Sequence, residues 1–243
     1  MKRIFDFPAS FLGLLLLSPV LLTFMFLIWK QDHHSPFYIA QRVGKGGKSF
    51  NMVKLRSMII EADKSGVAST AVNDNRITNV GRLIRRYKLD EFMQLWNVLL
   101  GQMSLVGPRP QVASDVALYT DEEQHLLDVT PGITDFSSIV FSDEGDILED
   151  ADDPDLLYNQ IIRPWKSRLG LFYVQHHNLL LDIKLILLTV VAIISRRQAL
   201  AGVVKILEDM GADERLITTS KRNADLQPFP PPGAETIMAS RSI

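Results

Sequence analysis

The chain has no cysteine. Disulfide staples and thiolate metal centres are therefore excluded, which fits a domain facing the cytosol. It also has no Lys or Arg in residues 113–160, where 14 Asp and Glu stand. The preceding segment is the reverse, with 13 Lys and Arg against 6 Asp and Glu in residues 30–112. A formal net charge of −2 over 243 residues excludes a general polyanion binder, so no nucleic-acid partner is expected. The asymmetry either directs anionic ligands to the basic half or marks two solvated faces of opposite sign. There are no internal repeats, and 47% hydrophobic residues suffice for one good core or two small ones.

Long apolar runs are equally scarce. Phe11 to Trp29 is the one stretch of that kind, 19 residues without a charge. A straight helix of that length reaches about 28 Å, just enough to cross a hydrocarbon core. The next residues, KQDHHSPF, offer no small-residue cleavage site, which argues against a removed signal peptide. Lys2 and Arg3 precede the run, and Lys30, Arg42, Lys45, Lys48, Lys54 and Arg56 come after it. Basic flanks favour the cytoplasm on both sides, and a helix that spans once cannot satisfy both. Ser18-Pro19 lies near the middle, where a proline removes a hydrogen bond and a serine hydroxyl can bond the freed carbonyl. A single-pass anchor and a helix that enters and returns by the same face are both compatible with these features.

Residues 37–58 predict two short strands joined at Gly44 to Gly47, with Lys54 and Arg56 on one face of the second strand. Residues 59–72 read as helix loosening into a polar loop. A helix is expected from Asp90 to Leu99, with Phe92, Leu95, Trp96 and Leu99 as core, and a second over residues 111–128. Residues 131–141 read as turn then strand. Residues 142–155 are acidic but do not place a glycine and a closing glutamate at the spacing an EF-hand requires, so a solvated loop is expected. A helix from Leu156 to Tyr173 comes next. The apolar stretch 178–194 has an uncharged part too short to span, which suits an interfacial or core-packed helix.

Chemistry concentrates around Asp90-Glu91. An acidic pair at a helix start is ordinarily a cap for the helix dipole. Here Arg76, Arg82, Arg85, Arg86 and Lys88 stand just upstream, and Pro108-Arg109-Pro110 holds a further guanidinium in an extended setting. Arginine forks suit phosphate, and adjacent carboxylates suit a hard divalent cation that is completed by substrate phosphates. Arg76, Arg85 and Arg109 are phosphate-binding candidates on this reading. Together these features point to a magnesium-assisted phosphate site beside a membrane.

The ordered set QRVG, KLRSM, NDNRIT, LDEFMQLWNVLLGQMSLVGPRP and PGIT, after an apolar segment containing SP, resembles the bacterial sugar transferases. These are monotopic polyprenyl-phosphate sugar-1-phosphate transferases, or phosphoglycosyl transferases. The resemblance implies transfer of a hexose- or N-acetylhexosamine-1-phosphate from a UDP-sugar to undecaprenyl phosphate, with release of UMP. It implies Asp90 as nucleophile, forming an aspartyl-phosphosugar, and Glu91 with Asp90 at a Mg2+ ion. Lys54, Arg56 and Arg109 fall on motifs associated with phosphate or nucleotide contact. It also implies a re-entrant membrane helix broken at Ser18 and Pro19, with the catalytic domain on the cytoplasmic face of the bacterial inner membrane. The segment after PGIT, Asp135 to Ser138, departs from the common pattern and is expected to bear on donor choice.

The expected architecture is α/β, mostly helical with a small β-hairpin, a re-entrant amino-terminal helix and interfacial amphipathic helices. Residues 1–30 form the membrane helix, 31–195 the catalytic domain, 196–217 an amphipathic helix and 218–243 a disordered tail. A homodimer is left open. The rival is a non-catalytic, membrane-anchored scaffold for glycan-assembly enzymes, which would have no need of an acidic pair among so many cations.

Overall fold

The computed structural model describes residues 2–62, 74–149 and 151–239. From residue 63 on, the polar loop expected over 59–72 lies outside them.

The apolar run becomes α1, Lys2–Asp32, which is helical without interruption through Pro8 and Pro19. Pro19 has no N–H to offer the carbonyl of Leu15, and the Ser18 hydroxyl donates to that carbonyl at 2.7 Å. Thr23 bonds the carbonyl of Pro19 at 2.8 Å. The helix therefore bridges the expected break through side-chain hydrogen bonds. One stripe, Asp6, Ser10, Leu21 and Ile28, is buried against the rest of the protein, while Ile4, Leu15, Leu16 and Leu22 stand well exposed.

Both ends of α1 are tied to the same body. At the start, Lys2 donates to the Val106 carbonyl and to Asp182, and Asp6 accepts from Ser104 at 2.7 Å and from the Leu105 amide. Arg3 caps the carbonyls of Val98 and Leu99. At the other end, Asp32 receives both terminal nitrogens of Arg56 at 2.6 and 2.7 Å, and Ile28 packs with Leu55 and Ile84.

The hairpin forms as expected. Strands β1 (Phe37–Val43) and β2 (Ser49–Leu55) pair antiparallel, with Tyr38 opposite Lys54 and Arg42 opposite Phe50. Gly46 and Gly47 take φ of 64° and 75° in the turn, a region that side chains disfavour. A second, parallel pair joins β3 (Ser104–Val106) to β4 (Gly132–Thr134). There the VGP and PGI motifs press backbone to backbone: a Cβ on Gly132 would sit 2.1 Å from the Gly107 nitrogen.

Helices α2 (Asn79–Arg86), α3 (Leu89–Phe92) and α4 (Gln94–Leu99) come after the hairpin. The single helix expected over 90–99 is thus two short ones that meet at Met93. This turn buries Gln94, Leu95, Asn97 and Val98, and leaves Trp96 exposed rather than in the core. The helix expected over 111–128 is only α5 (Ala113–Val116) and a 3-10 segment, Glu123–Asp128. After β4 the chain enters α6 (Phe136–Val140) instead of a longer strand, because Asp135 caps it by accepting from the Ser138 amide at 2.7 Å. The acidic stretch is not merely solvated. It forms α7 (Glu144–Ile147), with Glu144 paired to Lys166 and Asp143 to Arg196 and Arg222.

The main core lies among α6, α9 (Arg163–His176), α10 (Leu179–Ile194) and α11 (Arg196–Asp209). A short α8 (Pro154–Leu157) and a π-helical turn, Tyr158–Ile162, lead into α9. Helix α10 buries Leu181 and Leu185 and exposes Leu180, Ile183, Leu187, Val190 and Ile194. Beyond α12 (Glu214–Ser220) the tail is packed, contrary to expectation. Phe229 stacks on Trp165 at 4.8 Å, Arg168 donates to the Pro230 carbonyl, and Thr120 donates to that of Pro232. Aromatic stacking and side-chain donors hold a segment whose proline-rich composition suggested disorder.

Candidate active site

Four sequence-distant segments converge on the acidic pair. The first is β2, which carries Lys54. Asn97 of α4 fixes this strand: its Oδ1 accepts from the Val53 amide at 2.9 Å and its Nδ2 donates to the Asn51 carbonyl at 2.7 Å. Fully buried Asn97 thereby locks the lysine strand to the helix that comes after Asp90-Glu91. Asn97 lies within the LDEFMQLWNVLL stretch, whose motif reading gives it no role, although a lone asparagine inside an apolar helix signals a buried bracket.

The second segment is α2. Thr78 caps it by accepting from Gly81, whose added Cβ would lie 1.8 Å from the Ser57 carbonyl. That close approach brings Arg85 onto Ser57, where its Nε donates to the hydroxyl at 2.9 Å. The third is the turn before α3. Lys88 sits in the left-handed region at φ 52° and reverses the chain just ahead of the pair. The fourth is the Gly107–Pro110 turn, set by the β3–β4 contact, which presents Arg109. Its Nη2 donates to Glu91 Oε1 at 2.7 Å.

The two carboxylates differ. Glu91 is ion-paired; against the upward push of burial, Arg109 and then Lys54 hold it below the ordinary glutamate range. Asp90 makes no hydrogen bond or ion pair among the described residues. Burial raises its pKa, opposed first by Lys54 and then by Arg85 and Arg109. Lys54 likewise has no bonded partner among the described residues, and burial, helped by Arg109, lowers it to about 8. The site thus pairs an uncommitted carboxylate with an uncommitted ammonium in a cationic, partly desolvated setting. A setting of this kind can stabilise a polyphosphate and leaves a carboxylate available for attack.

Asp90, Glu91, Lys54, Arg85 and Arg109 are therefore brought together. Arg56 is placed elsewhere. Each of its three nitrogens bonds Asp32 or the Ser35 carbonyl, which makes it the bracket for the end of α1. Arg76 is gripped by Asp74, at 2.6 Å for the shortest bond, and lies within electrostatic reach of Arg85.

The acidic pair fits a magnesium ion of the substrate-completed kind. Both Asp90 oxygens and one Glu91 oxygen are unbonded, and among the described residues no group of three His, Asp or Glu gathers into a self-sufficient cage.

Comparison with known proteins extends this picture. The profile of the family described as bacterial sugar transferase matches residues 1–196. The chain is 44% identical over 133 residues to a putative undecaprenyl-phosphate N-acetylgalactosaminyl 1-phosphate transferase of Bacillus subtilis, covering 55% of this chain and 70% of that one. It is 38% identical over 206 residues to undecaprenyl-phosphate glucose phosphotransferase of Komagataeibacter xylinus, covering 82% of this chain and 36% of the relative. It is also 38% identical over 149 residues to undecaprenyl-phosphate galactose phosphotransferase of Salmonella typhimurium, covering 55% of this chain and 31% of that one. The chain therefore spans only about a third of the length of the last two.

Proposed function

The chain belongs to the bacterial sugar transferase family, and from that membership we propose that it transfers a sugar-1-phosphate from a UDP-sugar to undecaprenyl phosphate. The observation that carries the proposal is the free Asp90 carboxylate held between Lys54, Arg85 and the Arg109–Glu91 pair. In the first step an Asp90 oxygen attacks the phosphorus bonded to the sugar. The bond from that phosphorus to the UMP oxygen breaks, UMP leaves, and the sugar phosphate remains on Asp90. In the second step a phosphate oxygen of undecaprenyl phosphate attacks the same phosphorus. Asp90 departs as a carboxylate, and undecaprenyl diphosphate-sugar is formed. Two steps let a water-soluble donor leave before a lipid acceptor enters the same space.

Lys54, Arg85 and Arg109 bind the diphosphate and neutralise the charge that develops on the leaving phosphate. Arg109 also keeps Glu91 ionised beside the nucleophile. Asp90 and Glu91 are the residues that would hold Mg2+, which supplies further neutralisation of phosphate charge.

The same proposal puts the protein on the cytoplasmic face of the inner membrane with α1 re-entrant. Anchoring of both α1 ends to one body supports this, since the Lys2–Asp182 and Arg56–Asp32 ties keep the two ends on one side. The exposed apolar faces of α1 and α10 suit burial in lipid, with α10 lying in the interface. The relatives' names carry N-acetylgalactosamine, glucose and galactose, so the donor is assigned as a hexose or N-acetylhexosamine.

A UMP-release screen across UDP-sugars with undecaprenyl phosphate tests the proposal. At least one donor is expected to be turned over, and Asp90→Asn is expected to abolish both UMP release and trapping of a phosphosugar on the protein. UMP–UDP-sugar exchange by the mutant would show that Asp90 is not the nucleophile.

A further inference from the structure

Among the described residues, buried side-chain polar atoms without a hydrogen-bond partner occur on Gln94, Asp143 and Arg222. The last two are joined to each other at 3.1 Å, so each has spent part of its bonding capacity. Gln94 is different. It is fully buried, and neither its amide oxygen nor its amide nitrogen bonds any described residue. Withdrawing an amide from water without a partner is costly, and native structures seldom keep such a group without a use for it. Asn97, on the next turn, shows the contrast. Its amide bonds the Val53 N–H, the Asn51 carbonyl and the Gln102 side chain, and so holds the strand in place. Gln94 holds nothing of the resting fold.

Its place follows from helix and strand periodicity. Met93, between α3 and α4, keeps helical angles of −65° and −19°, so the chain turns on through the junction and Gln94 lies one turn beyond Asp90. Val98, a turn further on, packs in one cluster with Met52 of β2. Asp90, Gln94 and Val98 therefore share a face that meets β2, where Met52 and Lys54 alternate onto one side. At the other end of that row Lys54 acts electrostatically on Asp90. Gln94 thus stands between the Val98–Met52 contact and the Asp90–Lys54 gap. Helical side chains lean toward the amino terminus, which lays its amide over the turn that bears Asp90. Two uncommitted polar groups, one turn apart, occupy the same buried face.

We infer that Gln94 is a positioning residue for Asp90, its amide nitrogen donating to the carboxyl oxygen that does not attack while Asp90 carries the phosphosugar and as it departs. The inference rests on the proposed function and deepens it. In the phosphosugar one Asp90 oxygen is bonded to phosphorus and the other is a carbonyl oxygen. In the second step a phosphate oxygen of the lipid acceptor bonds to that phosphorus. The bond from phosphorus to Asp90 breaks, and its electron pair returns to the carboxylate. A hydrogen bond to a full carboxylate is stronger than one to a neutral acyl oxygen. The Gln94 bond therefore strengthens as Asp90 leaves, and it favours breakdown of the phosphosugar over its persistence. No proton moves, and a neutral donor does this without adding another cation to Lys54, Arg85 and Arg109.

The test uses the full chain with undecaprenyl phosphate and a UDP-sugar that the unmutated protein turns over. Gln94→Leu replaces the amide with an apolar group of similar size. Because it removes an orphaned amide, the melting midpoint should stay the same or rise. Turnover should fall about 10-fold in kcat, with KM for the UDP-sugar within about twofold. The fraction of protein carrying phosphosugar at steady state, read by intact mass, should rise. Phosphosugar-protein formed without acceptor and then chased with undecaprenyl phosphate should discharge about 10-fold more slowly. Discharge at the unmutated rate would overturn the inference, as would a fall in kcat with less phosphosugar on the protein. A lowered midpoint with equal slowing of both steps would make Gln94 a packing residue and overturn it too. Should Gln94→Leu fold poorly, Gln94→Met, closer in shape, carries the same comparison. If the unmutated protein forms no phosphosugar from any UDP-sugar, the proposed transfer itself fails and takes the inference with it, a result distinct from any effect of Gln94.

Discussion

Arg109 and Glu91, 18 residues apart, are joined by a 2.7 Å ion pair in which both side chains remain about a quarter exposed. The pair holds Glu91 ionised and leaves the neighbouring Asp90 without a partner among the described residues. Arg109→Ala is therefore expected to do more than weaken substrate binding. With its main counter-charge gone, the Glu91 pKa rises, so the acid limb of the kcat/KM profile moves to higher pH. A loss of 100-fold or more in kcat is expected, the scale for a removed electrostatic contact at a reacting centre. Arg109→Lys keeps the charge but not the planar fork, and should restore the acid limb while recovering rate only in part. An acid limb that stays put in Arg109→Ala would separate Glu91 ionisation from Arg109.

Lys54 gives the opposite limb. Burial brings its ammonium down to about 8 from an ordinary 10.5. A lysine that binds phosphate must be charged, so activity should fall as pH rises through about 8. Lys54→Arg keeps the charge at all accessible pH values and should flatten that limb. Stability follows the reverse sign. Between about 8 and 10.5 the unfolded chain holds a proton that the folded one has released, so stability rises with pH across that window. At neutral pH the buried charge is a cost, and Lys54→Met should stabilise the fold by on the order of 1 kcal/mol while removing activity. Thermal melts against pH, run beside UMP release, read both effects.

Much of this site was legible in the sequence because its chemistry sits in short contiguous motifs. LDE, PRP and KLR each name their groups, and the hairpin followed from glycines that permit positive φ. The illegible part depended on contacts between distant segments. Lys54 and Arg56 alternate correctly on paper, yet only packing of the α1 end shows that Asp32 claims Arg56. The tail reads as disordered by composition, but Trp165 and Arg168 on a remote helix enclose Phe229. Segment 131–141 has strand-forming residues, and an Asp135 cap turns it into helix after three residues of strand. Tyr119, Tyr158 and Lys166 carry no motif at all and come together with Arg109 around a small pocket only when the chain folds.

The Arg56–Asp32 pair gives a clean separation of structure from substrate binding. Both terminal nitrogens of Arg56 meet one carboxylate, and its Nε bonds the Ser35 carbonyl. Arg56→Ala strands Asp32 and a backbone acceptor, at a cost of about 2 kcal/mol, since one partner stays partly exposed. The melting midpoint should drop by roughly 5 °C. KM for the UDP-sugar should stay within about twofold of the unmutated value. A large rise in KM with an unchanged midpoint would return Arg56 to the phosphate site. Lys at this position offers no second terminal nitrogen and should recover little of the lost stability.

The topology of α1 can be read with the chain's lack of cysteine. One reporter cysteine is placed at Gln31, an exposed position near the helix end, and another on a short extension ahead of Met1, so that Lys2 keeps its bonds to Asp182 and Val106. A helix of 31 residues reaches about 45 Å if straight, long enough to cross a bilayer once. Its two ends, however, are tied to one body, Lys2 through Asp182 and Asp32 through Arg56. Crossing once would require breaking one tie and exposing either buried Asp182 or buried Arg56 without its partner. Each such loss is of the order of 3 kcal/mol. Both cysteines should therefore react with a membrane-impermeant reagent supplied from the cytoplasmic side and neither with the same reagent outside. Labelling of the two from opposite faces would establish a spanning helix, and with it a domain held by only one end of α1.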